Sequence, residues 1–197
     1  LRHLLIVANL HRVVVIGTSL GGILAAAMAV AMPCALAGVV LNDIGPVVER
    51  AGMSRIIEFI QDVRPQPDCD TAARHLRKTL PFLPDDDADG WLDLAHATYR
   101  ECGDGLLRAD WDPALVKPLL RSGELAGDLW PLFGALADLP KLALRGEHSD
   151  VLSAHTFDMM ADRMPGLTRI TVPGVGHVPA LKDTATREAI DDLLARA

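Results

Sequence analysis

Residues 13–41 carry no charged side chain, and this uncharged run constrains the fold more than any other feature of the chain. Its length suits a membrane span, yet Gly17, Ser19, Gly21, Gly22 and Pro33 interrupt it and its period changes midway. Residues 13–16 are a β-branched run, residues 20–32 are alanine-rich and helical, and residues 38–41 return to strand-forming types. A lipid-facing helix explains none of these breaks. A buried strand–turn–helix–strand unit explains all of them, so no membrane association is expected.

Composition narrows the rest. A chain of 197 residues with 50% hydrophobic content suits one domain, with room for an inserted sub-domain. It is too rich in Leu, Val and Ala to be disordered. The net charge is -7 and the only lysines are Lys78, Lys117, Lys141 and Lys182, so the basic stripe needed for phosphate contacts is missing and no nucleic-acid partner is expected. Cys34, Cys69 and Cys102 are odd in number and widely spaced, which fits a reducing, cytoplasmic interior. His3, His11, His75 and His96 lack ligand spacing, so no metal is expected. No signal peptide is visible, and the chain opens at Leu1.

The chain begins inside a helix that repeats Leu1, Leu4, Leu5 and Ala8 at helical spacing, and residues 13–16 then read as a fully buried strand. Beyond residue 46 strand-like runs disappear. Helical segments alternate with breaks such as Arg64-Pro65-Gln66-Pro67-Asp68 and Pro84-Asp85-Asp86-Asp87. Residues 47–139 therefore read as a helical insertion, between core segments 1–46 and 140–197. From residue 140 β and α signals alternate again. Residues 141–144 form a strand, and Ser153 caps a helix carrying Phe157, Met160, Ala161 and Met164 on one face. A strand over 167–172 follows, then a last helix from about Asp183 that buries Ala185, Ala189, Ile190, Leu193 and Leu194. The expected fold is α/β, a largely parallel sheet with helices on both faces.

Chemistry enters at Gly17-Thr18-Ser19-Leu20-Gly21-Gly22, between the first strand and the alanine-rich helix. A chance G-x-S-x-G in a chain of this composition is expected only about 0.03 times. A sharp strand-to-helix turn strains the serine backbone, and flanking glycines remove the Cβ atoms that would clash. The Ser19 hydroxyl then projects from the sheet edge, and the Leu20 N–H points where an oxyanion would form. A nucleophilic serine needs a base, and the base needs an orienting acid. Leu144-Arg145-Gly146-Glu147-His148-Ser149-Asp150 follows one strand and Val172-Pro173-Gly174-Val175-Gly176-His177 follows the next, so both end at the sheet edge that carries Ser19. This reading makes Ser19 the nucleophile, His177 the base and Asp150 the acid. Glu147 and Asp43 are rivals for the acid, Asp43 because it follows the second strand. His148 reads as a solvated loop residue and His155 as a surface one.

Four stretches carry a family resemblance: Val15-Ile16-Gly17-Thr18-Ser19-Leu20-Gly21-Gly22, Leu41-Asn42-Asp43-Ile44-Gly45-Pro46, Leu144-Arg145-Gly146-Glu147-His148-Ser149-Asp150 and Gly174-Val175-Gly176-His177. In these the chain resembles α/β-hydrolases of the esterase and lactonase type. The resemblance implies that residues 47–139 are a cap, that the family's N-terminal strands are absent from this chain, and that the second oxyanion N–H lies upstream of it. It also implies hydrolysis of a small, largely apolar ester or lactone through an acyl-serine, without cofactor. C–C bond hydrolysis or perhydrolysis at the same residues, or a non-catalytic role, are the alternatives. Trp91, Trp130 and Phe133 are candidates either for an acyl pocket or for core packing.

Overall fold

In the computed structural model, which describes residues 1–80, 82, 88–122 and 127–197, the uncharged run forms two parallel strands and the helix joining them. Strand β1 (Val13–Thr18) leads into helix α2 (Leu20–Ala31), and β2 (Leu36–Asn42) follows. Helix α1 (Arg2–Val7) precedes them; with six residues it is too short to present a continuous apolar stripe, and Leu5 is the member of its apolar repeat that packs on the core. Strands β5 (Lys141–Gly146) and β6 (Leu167–Val172) complete a four-stranded parallel sheet in the order β1-β2-β5-β6. Helix α8 (Ala154–Arg163) joins β5 to β6, and α9 (Thr184–Leu194) ends the chain. Among the described residues no helix is long and apolar enough to cross a membrane.

Strand alternation divides the core into two layers. On one face Val39, Leu41 and Ala143 pack with Ala25, Ala26 and Ala29 of α2 and with Phe157 and Met160 of α8. On the other, Val40, Leu142 and Leu144 pack with Leu193 of α9. Both central strands are buried along their whole length, as continuous apolar runs covered on two faces must be. The first strand, an apolar run suited to burial, lies at the sheet edge, and Ile16 is 47% exposed.

The last helix also differs. Its covered stripe is Thr186, Ala189, Ile190 and Leu193, while Ala185 and Leu194 face solvent. Positions three and four apart share a face, and one such stripe cannot hold all five expected residues. Ser153 caps its helix as read, and Asp183, where the last helix was expected to begin, caps that one; each accepts a backbone N–H three residues on.

The segment between β2 and β5 holds α3 (Arg50–Gln61), α4 (Cys69–Thr79), α5 (Ala88–Thr98), α6 (Lys117–Ser122) and α7 (Trp130–Gly134). It also holds a small antiparallel pair that the sequence reading missed, β3 (Tyr99–Glu101) with β4 (Leu107–Ala109). Three-residue strands are too short to show a period of two. Trp91 and Tyr99 form a local core with Ala72, Ala73, Leu76 and Ala95, and Phe133 joins the sheet core, so Trp91 and Phe133 serve packing. Trp130 is half-buried, with the Arg163 guanidinium 4.7 Å above its ring. The Pro84-Asp85-Asp86-Asp87 break lies outside the described residues.

Candidate active site

Parallel register assembles the site. Thr18 pairs with Asn42, Asn42 with Leu144, and Gly146 with Val172, so the chain leaves β1, β2, β5 and β6 at one edge of the sheet. Ser19, Asp43, the 147–150 loop and the 173–177 loop all follow those strand ends.

Ser19 sits at φ 50°, ψ -117°, a backbone region that is costly for any residue with a side chain. Two glycines make the turn possible. A Cβ on Gly17 would stand 2.5 Å from the Gly22 nitrogen, and one on Gly22 would stand 2.3 Å from the Ile44 side chain. The expected partner Gly21 has open space, so Gly17 and Gly22 are the sterically required pair. Leu20 opens α2, where first-turn N–H groups have no acceptor within the helix. Asn42 ties the elbow to the last loop: its carbonyl accepts the Ser19 N–H at 3.0 Å, while its amide donates to Thr18 Oγ1 and to the Pro179 carbonyl.

The carboxylate that the structure sets beside His177 is that of Asp43, not that of Asp150. His177 Nδ1 donates to Asp43 Oδ2 at 2.7 Å, with the Asp43 side chain fully buried and that of His177 8% exposed. Asp150 is engaged elsewhere. Arg55 of α3 holds it through two bonds of 2.7 Å, from Nε to Oδ2 and from Nη2 to Oδ1. Glu147 accepts the Gly174 N–H at 2.8 Å and so holds the histidine loop. His148 is exposed, its ring 4.6 Å from that of Phe82, and His155 is exposed on α8. The reason Asp43 prevails is geometric. It leaves β2, the strand beside β1, at φ 55°, a left-handed conformation that aspartate tolerates, and its carboxylate also accepts the Gly146 N–H and the Ser149 hydroxyl. Ser149 went unremarked in the sequence, where nothing distinguishes it from any other small polar loop residue.

The Arg55 guanidinium, through its hydrogen bonds, holds the Asp150 carboxyl below the usual carboxylate range; burial opposes this. A lowered folded-state value means that the pair stabilises the fold above the unfolded value and loses that contribution as pH falls through the folded one. Arg55→Met should therefore be less stable than the parent at pH 5 to 8. The difference should shrink only below about pH 4, a trend that urea denaturation at several pH values will measure. The pair is partly exposed, so its contribution is modest, about 1 kcal/mol. Among the described residues no group of three His, Cys, Asp or Glu side chains is placed to hold a metal ion.

Known proteins resemble this chain in sequence and in fold. The chain is 28% identical over 190 residues to a protein of Cupriavidus necator named 3-hydroxybutyrate-oligomer hydrolase, the match covering 90% of this chain and 63% of that protein. The chain thus spans less than two thirds of that relative's length. An alpha/beta hydrolase of Novosphingobium aromaticivorans, known from its crystal structure, is 38% identical and superimposes with a TM-score of 0.89, over 100% of this chain and 70% of that one. The crystal structure of E-2-(acetamidomethylene)succinate hydrolase is 24% identical, with a TM-score of 0.82 over 98% of this chain and 70% of that one, a likeness of fold. A serine elbow at the edge of a parallel sheet is what this fold builds, and the model of the alpha/beta hydrolase family matches residues 1–189: the chain belongs to that family.

Proposed function

We infer that this chain is a serine hydrolase cleaving an ester or lactone of a small, largely apolar substrate through an acyl-serine intermediate. The observation that carries this reading is the conjunction of the strained Ser19 elbow with an imidazole whose Nδ1 is occupied by a buried carboxylate. That bond places the imidazole lone pair on Nε2, the atom a serine hydroxyl needs as its base. In this mechanism Ser19 Oγ attacks the carbonyl carbon while Nε2 takes its proton. The Leu20 N–H, at the positive end of α2, holds the developing oxyanion. The imidazolium then protonates the departing alkoxide. Nε2 next removes a proton from water, which attacks the acyl-serine, and the imidazolium returns that proton to Ser19 Oγ as the acid departs.

Asp43 is the orienting acid in this reading, in place of Asp150. Residues 47–139 act as the cap. Phe82 supports that role, since its carbonyl accepts the Gly176 N–H at 2.6 Å beside His177. The 3-hydroxybutyrate-oligomer relative supports an ester substrate, because oligomers of a hydroxy acid are joined through esters. The thiols of Cys34, Cys69 and Cys102 are all free, which supports a cytoplasmic location.

A fluorophosphonate probe tests the reading. Labelling should map to Ser19 and to none of the other serines, and folded protein that takes up no probe would leave a non-catalytic role. On a panel of short p-nitrophenyl esters, lactones, 3-hydroxybutyrate oligomers and vinylogous diketones, the esters and lactones should turn over fastest. Preference for the diketones would reassign the reaction to C–C cleavage.

A further inference from the structure

We propose that Ser149 is a positioning residue that sets the Asp43 carboxylate for His177; the inference rests on the serine-hydrolase reading above. A hydroxyl has one proton and two acceptor sites. At Ser149 both acceptor sites are taken, by the Val151 N–H at 3.2 Å and the Leu152 N–H at 3.1 Å, where the loop turns toward α8. The single proton is left for Asp43 Oδ2, at 2.6 Å. That is the same oxygen that accepts His177 Nδ1, while Oδ1 accepts the Gly146 N–H at 2.8 Å.

The buried carboxylate is therefore gripped by three donors. Two of them, Gly146 at the end of β5 and Ser149 in the loop that follows, are tied by their own bond (Ser149 N–H to Gly146 O, 3.0 Å), which closes that loop onto the strand end. A carboxylate held at one oxygen only can swing about its Cβ–Cγ bond. With Ser149 in place, Oδ2 is fixed where the imidazole must meet it. Charge-assisted bonds of this length, made to a fully buried carboxylate, are the stronger kind. The loop is anchored in turn from outside: the next residue, Asp150, is clamped by Arg55, and the Gly52 N–H of the same helix donates to the Asp150 carbonyl at 3.1 Å. Ser149 thus connects the packing of α3 to the acid without touching substrate.

Ser149→Ala, Ser149→Thr and Ser149→Cys in the 197-residue chain test this. The first readout is the downfield proton resonance of the His177 Nδ1–H, which needs no substrate. The second is kcat and KM across pH. Ser149→Ala should move the resonance, lower kcat about tenfold with KM within twofold, and displace the rising limb of the kcat profile to higher pH. Ser149→Thr should restore all three. Ser149→Cys, a near-isosteric weak donor, should move the resonance in the same sense as Ser149→Ala, and it serves in place of that variant if Ser149→Ala does not fold. A lowered melting temperature with an unmoved resonance and pH profile would assign Ser149 a purely structural role and overturn the proposal, leaving the Ser19–His177–Asp43 reading intact. If the parent chain itself lacks the resonance, the His177–Asp43 pairing beneath both readings fails.

Discussion

Ser19→Ala should abolish fluorophosphonate labelling and lower ester turnover by about 10⁴-fold or more, the scale on which a catalytic nucleophile is missed. The loss should fall on kcat, since the fold, the imidazole and the Leu20 N–H all remain. Ser19→Gly adds a second, opposite readout. At φ 50°, ψ -117° a side chain costs about 1–3 kcal/mol, and glycine adopts this region freely. The glycine variant should be equally inactive and yet more stable than the parent by about 1 kcal/mol in chemical denaturation, after allowance for the greater freedom of its unfolded chain. Such a pair of results would locate the strain at the residue that needs it for function. Activity surviving in Ser19→Ala would end the serine reading.

Asp43→Asn should be nearly as damaging, with a loss of about 10⁴-fold in kcat, while Asp150→Asn should remain within about tenfold of the parent. The carboxylate of Asp43 accepts three donors and offers none. An amide there must turn its NH₂ toward at least one of them, and the position is fully buried, so the mismatch is costly. If the NH₂ faces His177, the imidazole shifts its proton to Nε2 and the base is lost. Asp150→Asn instead weakens the clamp from Arg55, which changes stability more than chemistry. The two variants should be compared on one substrate at fixed pH, with melting temperatures recorded. A larger kcat loss for Asp150→Asn would return the acid role to the loop after β5.

The choice between these carboxylates marks where reading the sequence runs short. Both follow a parallel strand, and both lie within the chain order that a base after β6 permits. Strand neighbourhood separates them: Asp43 leaves the strand next to β1, while Asp150 stands four residues beyond β5, where Arg55 of a helix distant in sequence captures it. That pairing spans 95 residues, and no local pattern encodes it. The hairpin of Tyr99–Glu101 with Leu107–Ala109 escaped notice for a related reason, since strands this short carry no period to detect.

Local rules were sufficient wherever the determinant was local. The strand–turn–helix of residues 13–31 follows from β-branched residues, glycines and alanines in that order, and the helix starts at Ser153 and Asp183 follow from their capping oxygens. The glycines around Ser19 marked a strand-to-helix turn in the sequence, but only the packing shows that Gly17 and Gly22, and not Gly21, are the ones the turn requires. Two further things were left to the tertiary structure: which carboxylate reaches His177, and which hydroxyl steadies that carboxylate. Both depend on bonds spanning more than a hundred residues, made where parallel strand ends and loops converge, and a linear pattern specifies neighbours along the chain without ranking the groups that meet across it.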